Sequence, residues 1–136
     1  MTTKDTTHLA GQFLVAGELS RRGYPVSITM GNGKSVDIYA EGHDFVPIRV
    51  DARAGRTKTN WPVSEKSIQD DVYYIFVYLG PEDQIDEDES PEYFIAKGTE
   101  LKTHGLITTW QSRQWVHYSA LCNDRYKDNW KKLPPP

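Results

Sequence analysis

The sequence predicts a mixed α/β fold in which a central mixed sheet of about five strands is flanked by helices. Apolar residues at helical spacing between Leu9 and Arg22, followed by Gly23, indicate a first helix with one buried stripe. Several later segments alternate apolar and polar residues, which is typical of strands with one buried face. From Val72 to Leu79 the residues are almost all apolar, which indicates a strand buried on both faces. The order of a helix, three strands, a connection, two strands and a helical tail favours helices packed against this sheet.

Three strands are predicted in close succession after the first helix. The first covers Tyr24–Met30, and Gly-Asn-Gly at 31–33 is a strong signal for a hairpin turn. The second strand is predicted over Ser35–Ala40 and the third over Phe45–Arg53.

The pattern is weaker in the last third of the chain. A further strand is predicted over Tyr93–Ala96, and residues 98–105 are predicted to form a short helix with Thr99 as its N-cap. Residues 110–118 fit no single element. Residues 121–133 fit either a final helix or an irregular segment held by its aromatic side chains.

Length and composition limit the class of protein. A chain of 136 residues predicts a single domain, 1–136, that buries about two-thirds of its unfolded surface, with residues 1–8 and 134–136 expected to be flexible. The lone Cys122 excludes an intrachain disulfide and a cysteine-rich zinc site. There is no apolar segment long enough to cross a bilayer and no apolar leader, so we expect a cytoplasmic protein without a membrane partner.

Charge is distributed unevenly along the chain. The net charge of −3 gives no overall attraction for nucleic acid. Four basic residues nevertheless fall within ten positions, and residues 82–92 are mostly acidic. Such runs are most often solvated surface. The basic group overlaps the candidate site through Arg53, and its other members, Arg49, Arg56 and Lys58, are the candidate nucleic-acid-binding residues.

A pattern of acidic and basic residues on two predicted strands marks the candidate site. Side chains at i and i+2 of a strand share a face, so Asp51 and Arg53 are expected to point the same way. If the strand that holds Asp37 lies beside them, two carboxylates and a guanidinium can meet, an arrangement that suits a divalent metal and a phosphate. Alternatively, Asp37 is a solvated acid beside a turn, and Asp51 and Arg53 are simply a surface pair.

Several segments, in this order and spacing, carry a resemblance to a known superfamily. They are Gly-Gln-Phe-Leu-Val-Ala-Gly-Glu-Leu-Ser-Arg-Arg-Gly-Tyr (11–24), Gly-Asn-Gly-Lys-Ser-Val-Asp-Ile (31–38), Val-Asp-Ala-Arg (50–53), Trp-Pro-Val-Ser-Glu-Lys (61–66), Asp-Val-Tyr-Tyr-Ile-Phe-Val-Tyr-Leu-Gly (71–80) and Pro-Glu-Tyr-Phe-Ile (91–95). With these segments the sequence resembles the PD-(D/E)XK nucleases, and within them the small stand-alone proteins near the archaeal Holliday-junction resolvases. This resemblance implies a restriction-endonuclease-like core, DNA as the partner and a homodimer.

The functional positions of this superfamily carry over one by one. Asp37 matches the metal-binding aspartate that follows the first hairpin turn, and Asp51 matches the acidic position of the third strand. Arg53 stands where the family has a catalytic lysine, and Gln12 stands where this group usually has glutamate. A register shifted by two residues would place Arg49 at the acidic position and Asp51 at the lysine position. The preferred register keeps an acid at the metal position.

The resemblance implies Mg²⁺ (or Mn²⁺) held by Asp37, Asp51 and the carbonyl of Ala52, since Mg²⁺ prefers octahedral oxygen ligands. The ion would polarise the phosphoryl oxygen and lower the pKa of the attacking water. Arg53 stays charged and cannot accept a proton, although it can clamp a phosphate. Losing a general base costs roughly 10²–10⁴ in rate, and Gln12 removes a negative charge near the ion. We therefore expect a site that holds phosphate but is impaired in cleavage.

Two hypotheses of function follow. The first is a metal-dependent endonuclease acting on DNA, based on the two aspartates and the basic residues. The second is a catalytically inactive nuclease-like module that binds a protein or nucleic-acid partner, as a regulator or immunity protein does. It is based on Gln12, Arg53 and the negative net charge.

Overall fold

A five-stranded mixed sheet forms the centre of the protein, in the order β1-β2-β3-β5-β6. The computed structural model describes residues 3–30, 36–82 and 90–136, without the side chains of residues 3, 30, 36 and 37. The predicted turn at 31–33 and most of the acidic loop lie outside the described residues. The helices and strands are α1 (Thr3–Arg21), β1 (Val26–Met30), β2 (Val36–Glu41), β3 (Pro47–Gly55), β4 (Asn60–Pro62), β5 (Val72–Tyr78), β6 (Glu92–Lys97), α2 (Gly98–Thr103), β7 (Ile107–Trp110), β8 (Arg113–His117) and α3 (Tyr118–Leu121).

The pairing of the strands confirms the predicted mixed sheet. β1, β2 and β3 form an antiparallel meander, β3 and β5 run parallel, and β6 is antiparallel to β5. The β2–β3 register runs from the pair Glu41–Pro47 to the pair Ile38–Val50. β3 then continues to Gly55 in register with β5. The second half of β3 therefore extends past the Ile38–Val50 pair along β5, and this is where the candidate site lies.

Both faces of the sheet are buried, but by different elements. α1 covers one face, where Val15 and Leu19 pack with Ile48, Val50 and Ala52 of β3 in one apolar cluster. A second cluster on the other face is built around Trp61 and alternate residues of β5. All seven residues of β5 are buried, which confirms the prediction of a strand buried on both faces.

The second face is covered by a small sheet that the sequence did not predict. Its order is β4-β8-β7, and β4 lies in the connection between β3 and β5. Trp61 of β4 is buried, its indole Nε1 lies 3.4 Å from the carbonyl oxygen of Val77, and its ring centroid lies 5.3 Å from that of Phe76. This short strand therefore attaches the small sheet to β5.

The first helix is longer than predicted. α1 begins at Thr3, so the start expected at Leu9 is wrong, whereas the end before Gly23 is confirmed. Gly11 allows α1 to approach β3 closely, because a Cβ at this position would overlap the Cβ of Ala54. The extra turns at the start of α1 extend over the second half of β3, where they form one wall of the candidate site.

The C-terminal segment follows the edge of β6. The predicted short helix is present as α2, but its N-cap is Lys97 and not Thr99, because the Glu100 carboxylate accepts a hydrogen bond from the Lys97 backbone N–H at 3.0 Å. Residues 122–133 are mostly irregular, with one 3₁₀ turn, which selects the second of the two predicted alternatives. Among the described residues, no helix is both long and apolar enough to span a bilayer.

Candidate functional site

A cleft of about 1050 Å³ opens along β3, between the first half of α1 and β4. We call it the β3 cleft. The polar side chains of β3 form its floor on the side of β4 and the 3₁₀ turn that follows it, because Asp51 and Arg53 share the face of Tyr74. The start of α1 borders the cleft from the opposite face of β3. The side chains on which its chemistry depends are Lys4, His8 and Gln12 of α1 and Arg49, Asp51 and Arg53 of β3.

Asp51 and Arg53 form a two-point ion pair on the cleft floor. Arg53 Nε donates to Asp51 Oδ1 at 3.1 Å, and Arg53 Nη2 donates to Asp51 Oδ2 at 3.2 Å. The two residues are i and i+2 on β3, so the strand alone places them on one face, as the sequence predicted. Arg53 also donates through Nη1 to the carbonyl of Pro62 at 3.3 Å, and its guanidinium carbon lies 5.6 Å from the centre of the Tyr74 ring. The guanidinium is therefore held in place from three sides.

The other predicted basic residues divide into two groups. Arg49 and Arg56 line the cleft, whereas Lys58 lies outside it, where its Nζ is 3.9 Å from Oε2 of Glu92. Arg49 is exposed and donates to Gln69 Oε1 at 2.9 Å. Arg56 donates to the hydroxyl of Thr7 at 2.8 Å, which fastens the start of α1 to the region just after β3.

Gln12 faces the cleft from α1 but is itself only 3 % exposed. Its Nε2 lies 3.0 Å from Nε2 of His8, one helical turn earlier. His8 and Lys4 were not predicted to belong to the site, because the segment before Leu9 was not expected to be helical. Their spacing with Gln12 (i, i+4, i+8) is the signal that could have identified them.

Asp37 lies in β2, and its backbone pairs with Thr29 of β1. Asp37 directly precedes Ile38, and Asp51 directly follows Val50, the antiparallel partner of Ile38. The register therefore brings the two aspartates to corresponding positions of neighbouring strands. The side chain of Asp37 lies outside the described residues, so the convergence of the two carboxylates stays a prediction.

The described donor set does not fit a Mg²⁺ ion by itself. No group of three or more His, Cys, Asp or Glu side chains that could hold a metal occurs among the described residues. Asp51 offers a carboxylate, but both of its oxygens accept hydrogen bonds from Arg53. Gln12 contributes a neutral amide where glutamate would add a charge. A cation at this position would have to compete with the Arg53 guanidinium for Asp51.

The cleft carries an excess of positive charge on an acidic protein. Its described lining contains four cationic side chains and two anionic ones, Asp5 and Asp51. The whole chain has a net charge of −3, so this excess is local. A concave site with an excess of one charge concentrates ligands of the opposite charge, which here means anions. The cationic residues are Lys4, Arg49, Arg53 and Arg56.

Comparisons with known proteins provide no family for this chain. The sequence matches no protein-family model, and no curated protein and no solved structure match it. The resemblance to the PD-(D/E)XK nucleases therefore stays a prediction. The chemistry of the β3 cleft is what points to a function.

Proposed function

We propose that the protein binds DNA through phosphate groups in the β3 cleft, and that phosphodiester cleavage in this cleft is weak or lost. The observation that carries this proposal is the two-point pair of Arg53 with Asp51. The pair occupies the carboxylate on which metal-dependent cleavage would depend, and it leaves Lys4, Arg49 and Arg56 as the excess positive charge of the cleft for phosphate.

Binding is supported by the row of arginines along the strand. Arg49 and Arg53 lie four residues apart on β3, which is about 13 Å at the usual strand rise. Arg56 follows three residues later and lines the same cleft. Guanidinium groups bind phosphate oxygens and stay charged at any physiological pH. Arg49 keeps the most donors for a phosphate, because it directs one N–H to Gln69, whereas Arg53 directs three and Arg56 two to acceptors of the protein. A row of this length matches an extended polyanion better than a single small anion.

Weak cleavage is supported by the chemistry of Arg53. Arginine cannot act as a general base, and the loss of a general base costs roughly 10²–10⁴ in rate. The Asp51 carboxylate is also partly neutralised by its partner, Arg53.

The homodimer implied by the resemblance stays a prediction. Sedimentation at several protein concentrations would measure the oligomeric state.

The test of binding is fluorescence anisotropy with labelled DNA over a range of salt concentrations. The wild type is expected to bind with an affinity that falls as salt rises. Arg49→Gln and Arg53→Gln are each expected to weaken binding and to reduce the slope of log K against log salt by about 0.7–0.9 for each phosphate that the variant no longer neutralises. Arg125→Gln is the matched control, because Arg125 is exposed and lies outside the cleft.

Two results would overturn the proposal. Absence of salt-dependent binding to any DNA would refute the nucleic-acid function and favour a protein partner. Cleavage of branched or linear DNA at an ordinary nuclease rate with Mg²⁺ or Mn²⁺, abolished in Asp37→Ala, would refute the claim of weak cleavage and support the endonuclease hypothesis.

A further inference from the structure

An exposed aromatic side chain lines the β3 cleft beside Arg49. Tyr39 of β2 is 39 % exposed and lines the cleft. It is the direct antiparallel partner of Arg49 on β3. Directly opposed residues of an antiparallel pair have Cβ atoms about 4.5–5.5 Å apart and side chains on the same face. The cleft lining therefore presents a phenol ring and a guanidinium side by side.

Arg49 has binding capacity beyond its contact within the protein. It directs one N–H to Gln69 Oε1, and a guanidinium carries five N–H donors. Tyr39 and Arg49 together offer an aromatic face and a cation. This is the combination that single-stranded nucleic acids use, with a base on the ring and the neighbouring phosphate on the cation.

The dimensions of the cleft favour one strand over two. The Arg56–Thr7 hydrogen bond connects the start of α1 to the chain just after β3, and the Arg53–Pro62 bond connects the floor to β4. These contacts bound a space of about 1050 Å³. This volume is close to the upper end of that of small-molecule pockets, roughly 300–1,000 Å³, which is too small to take in a double helix. A few nucleotides of extended single strand can lie along the floor.

We propose that the β3 cleft takes single-stranded nucleic acid, with one base stacked on Tyr39 and the adjacent phosphate bound by Arg49. This inference depends on the proposed function, since it names the form of nucleic acid that the same cleft recognises. Stacking on an aromatic ring is tolerant of base identity, because every base has a π face. The strand is therefore bound with little sequence preference at this position.

The experiment compares three variants and three probes. The probes are an oligothymidylate, a duplex of equal length and an oligonucleotide with abasic sites throughout. We expect tighter binding of the oligothymidylate than of the duplex. Tyr39→Ala should weaken oligothymidylate binding by about 5- to 100-fold without changing its salt slope, because a stacking contact and no charge is removed. Tyr39→Phe should bind like the wild type, and so should Trp110→Ala, which removes an aromatic residue that is 62 % exposed but lies outside the cleft.

The abasic probe separates stacking from a general loss of structure. Tyr39→Ala and the wild type should bind it equally, because it offers no base to stack. A second measurement needs no variant, since photocrosslinking of wild-type protein to 5-iodouracil oligonucleotides should label Tyr39, as mapped by mass spectrometry. Labelling only at residues outside the cleft would overturn the inference.

Failure of this inference is distinguishable from failure of the proposed function. Binding of duplex as tight as that of single strand, or unchanged oligothymidylate binding in Tyr39→Ala, would refute the stacking site and leave phosphate binding in the cleft standing. Absence of binding to all three probes would refute both.

Discussion

Replacing Gly11 by alanine is expected to destabilise the protein, although alanine is the better helix former. In a helix interior alanine is favoured over glycine by about 1 kcal/mol. At this position the added Cβ would overlap the Cβ of Ala54, an atom fixed to the backbone of β3. Neither partner can rotate away, so the helix or the strand has to shift.

The expected magnitude follows from these opposing effects. Overpacking a rigid contact costs about 1–3 kcal/mol, and an overlap between two backbone-attached carbons belongs at the upper end of that range. After the gain in helix propensity, a net loss of about 2 kcal/mol remains. For a domain of this size, this loss lowers Tm by roughly 5–10 °C.

Gly17 offers a matched control on the same helix. A Cβ at Gly17 would meet no atom within 4 Å. Gly17→Ala should therefore stabilise the protein by about 0.5–1 kcal/mol. Thermal unfolding of the two variants, followed by circular dichroism, should shift Tm in opposite directions.

A double substitution tests the cause directly. Ala54→Gly removes the atom that the new methyl group would meet, so Gly11→Ala should cost less in the Ala54→Gly background than in the wild type. If Gly11→Ala raised Tm as Gly17→Ala does, or if Ala54→Gly left its cost unchanged, the close approach of α1 to β3 would be refuted.

Three further outcomes are expected. Arg53→Lys combined with Gln12→Glu should produce or increase Mg²⁺-dependent cleavage of labelled DNA, by up to the roughly 10²–10⁴-fold that a general base contributes to the rate. If this double variant still cleaved no DNA, the cleft would differ in other ways from that of an active nuclease. The pKa of Glu18 is lowered from its ordinary value, chiefly by its hydrogen bond from Arg21, so this carboxylate stabilises the fold above about pH 4.5 and loses that effect as the pH falls through the lowered pKa. Glu18→Gln should therefore reduce Tm at pH 7 and leave it unchanged at a pH well below the lowered value, and an equal loss at both pH values would contradict this. Lys132→Met should lower the free energy of unfolding by about 1–3 kcal/mol in urea titrations, because it removes the ammonium group that donates to the Ile95 carbonyl and the Glu100 carboxylate. An unchanged urea midpoint would refute this role.

The sequence predicted the central sheet well because its strands carry strong patterns. The buried alternation of Ile48, Val50 and Ala52 and the apolar run of β5 are set by burial, which leaves a clear trace in residue type. The shared face of Asp51 and Arg53 follows from strand geometry alone, so their meeting could be predicted. The two hydrogen bonds between them could not be predicted, because the rotamer of Arg53 depends on its contacts with Pro62 of β4 and with the ring of Tyr74.

The small second sheet has no comparable pattern in the sequence. β4 has only three residues, and the turn between β7 and β8 places Gln111 and Ser112 at positive φ (46° and 64°). Hairpin turns of this kind are normally marked by glycine or asparagine. Without those residues the hairpin gives no turn signal, and tertiary packing decides its conformation.

The start of α1 was missed for a related reason. Its first residues are polar, so they form no apolar stripe. They are held by long-range contacts, such as the bond from Arg56 to Thr7, that sequence periodicity does not contain. The contributions of Lys4 and His8 to the β3 cleft were missed with them.

The C-terminal segment makes the two borders of the central sheet unequal. The backbone N–H of Ile95 in β6 donates to the carbonyl of Tyr126, its own carbonyl accepts from Lys132 Nζ, and the Asp128 N–H donates to the carbonyl of Tyr93. The chain thus covers the middle of that border with its own polar groups. The opposite border is β1 (Val26–Met30), and among the described strands only β2 lies beside it. A foreign peptide that adds a strand to this sheet, or a second copy that pairs with its edge in an aggregate, would therefore pair with β1.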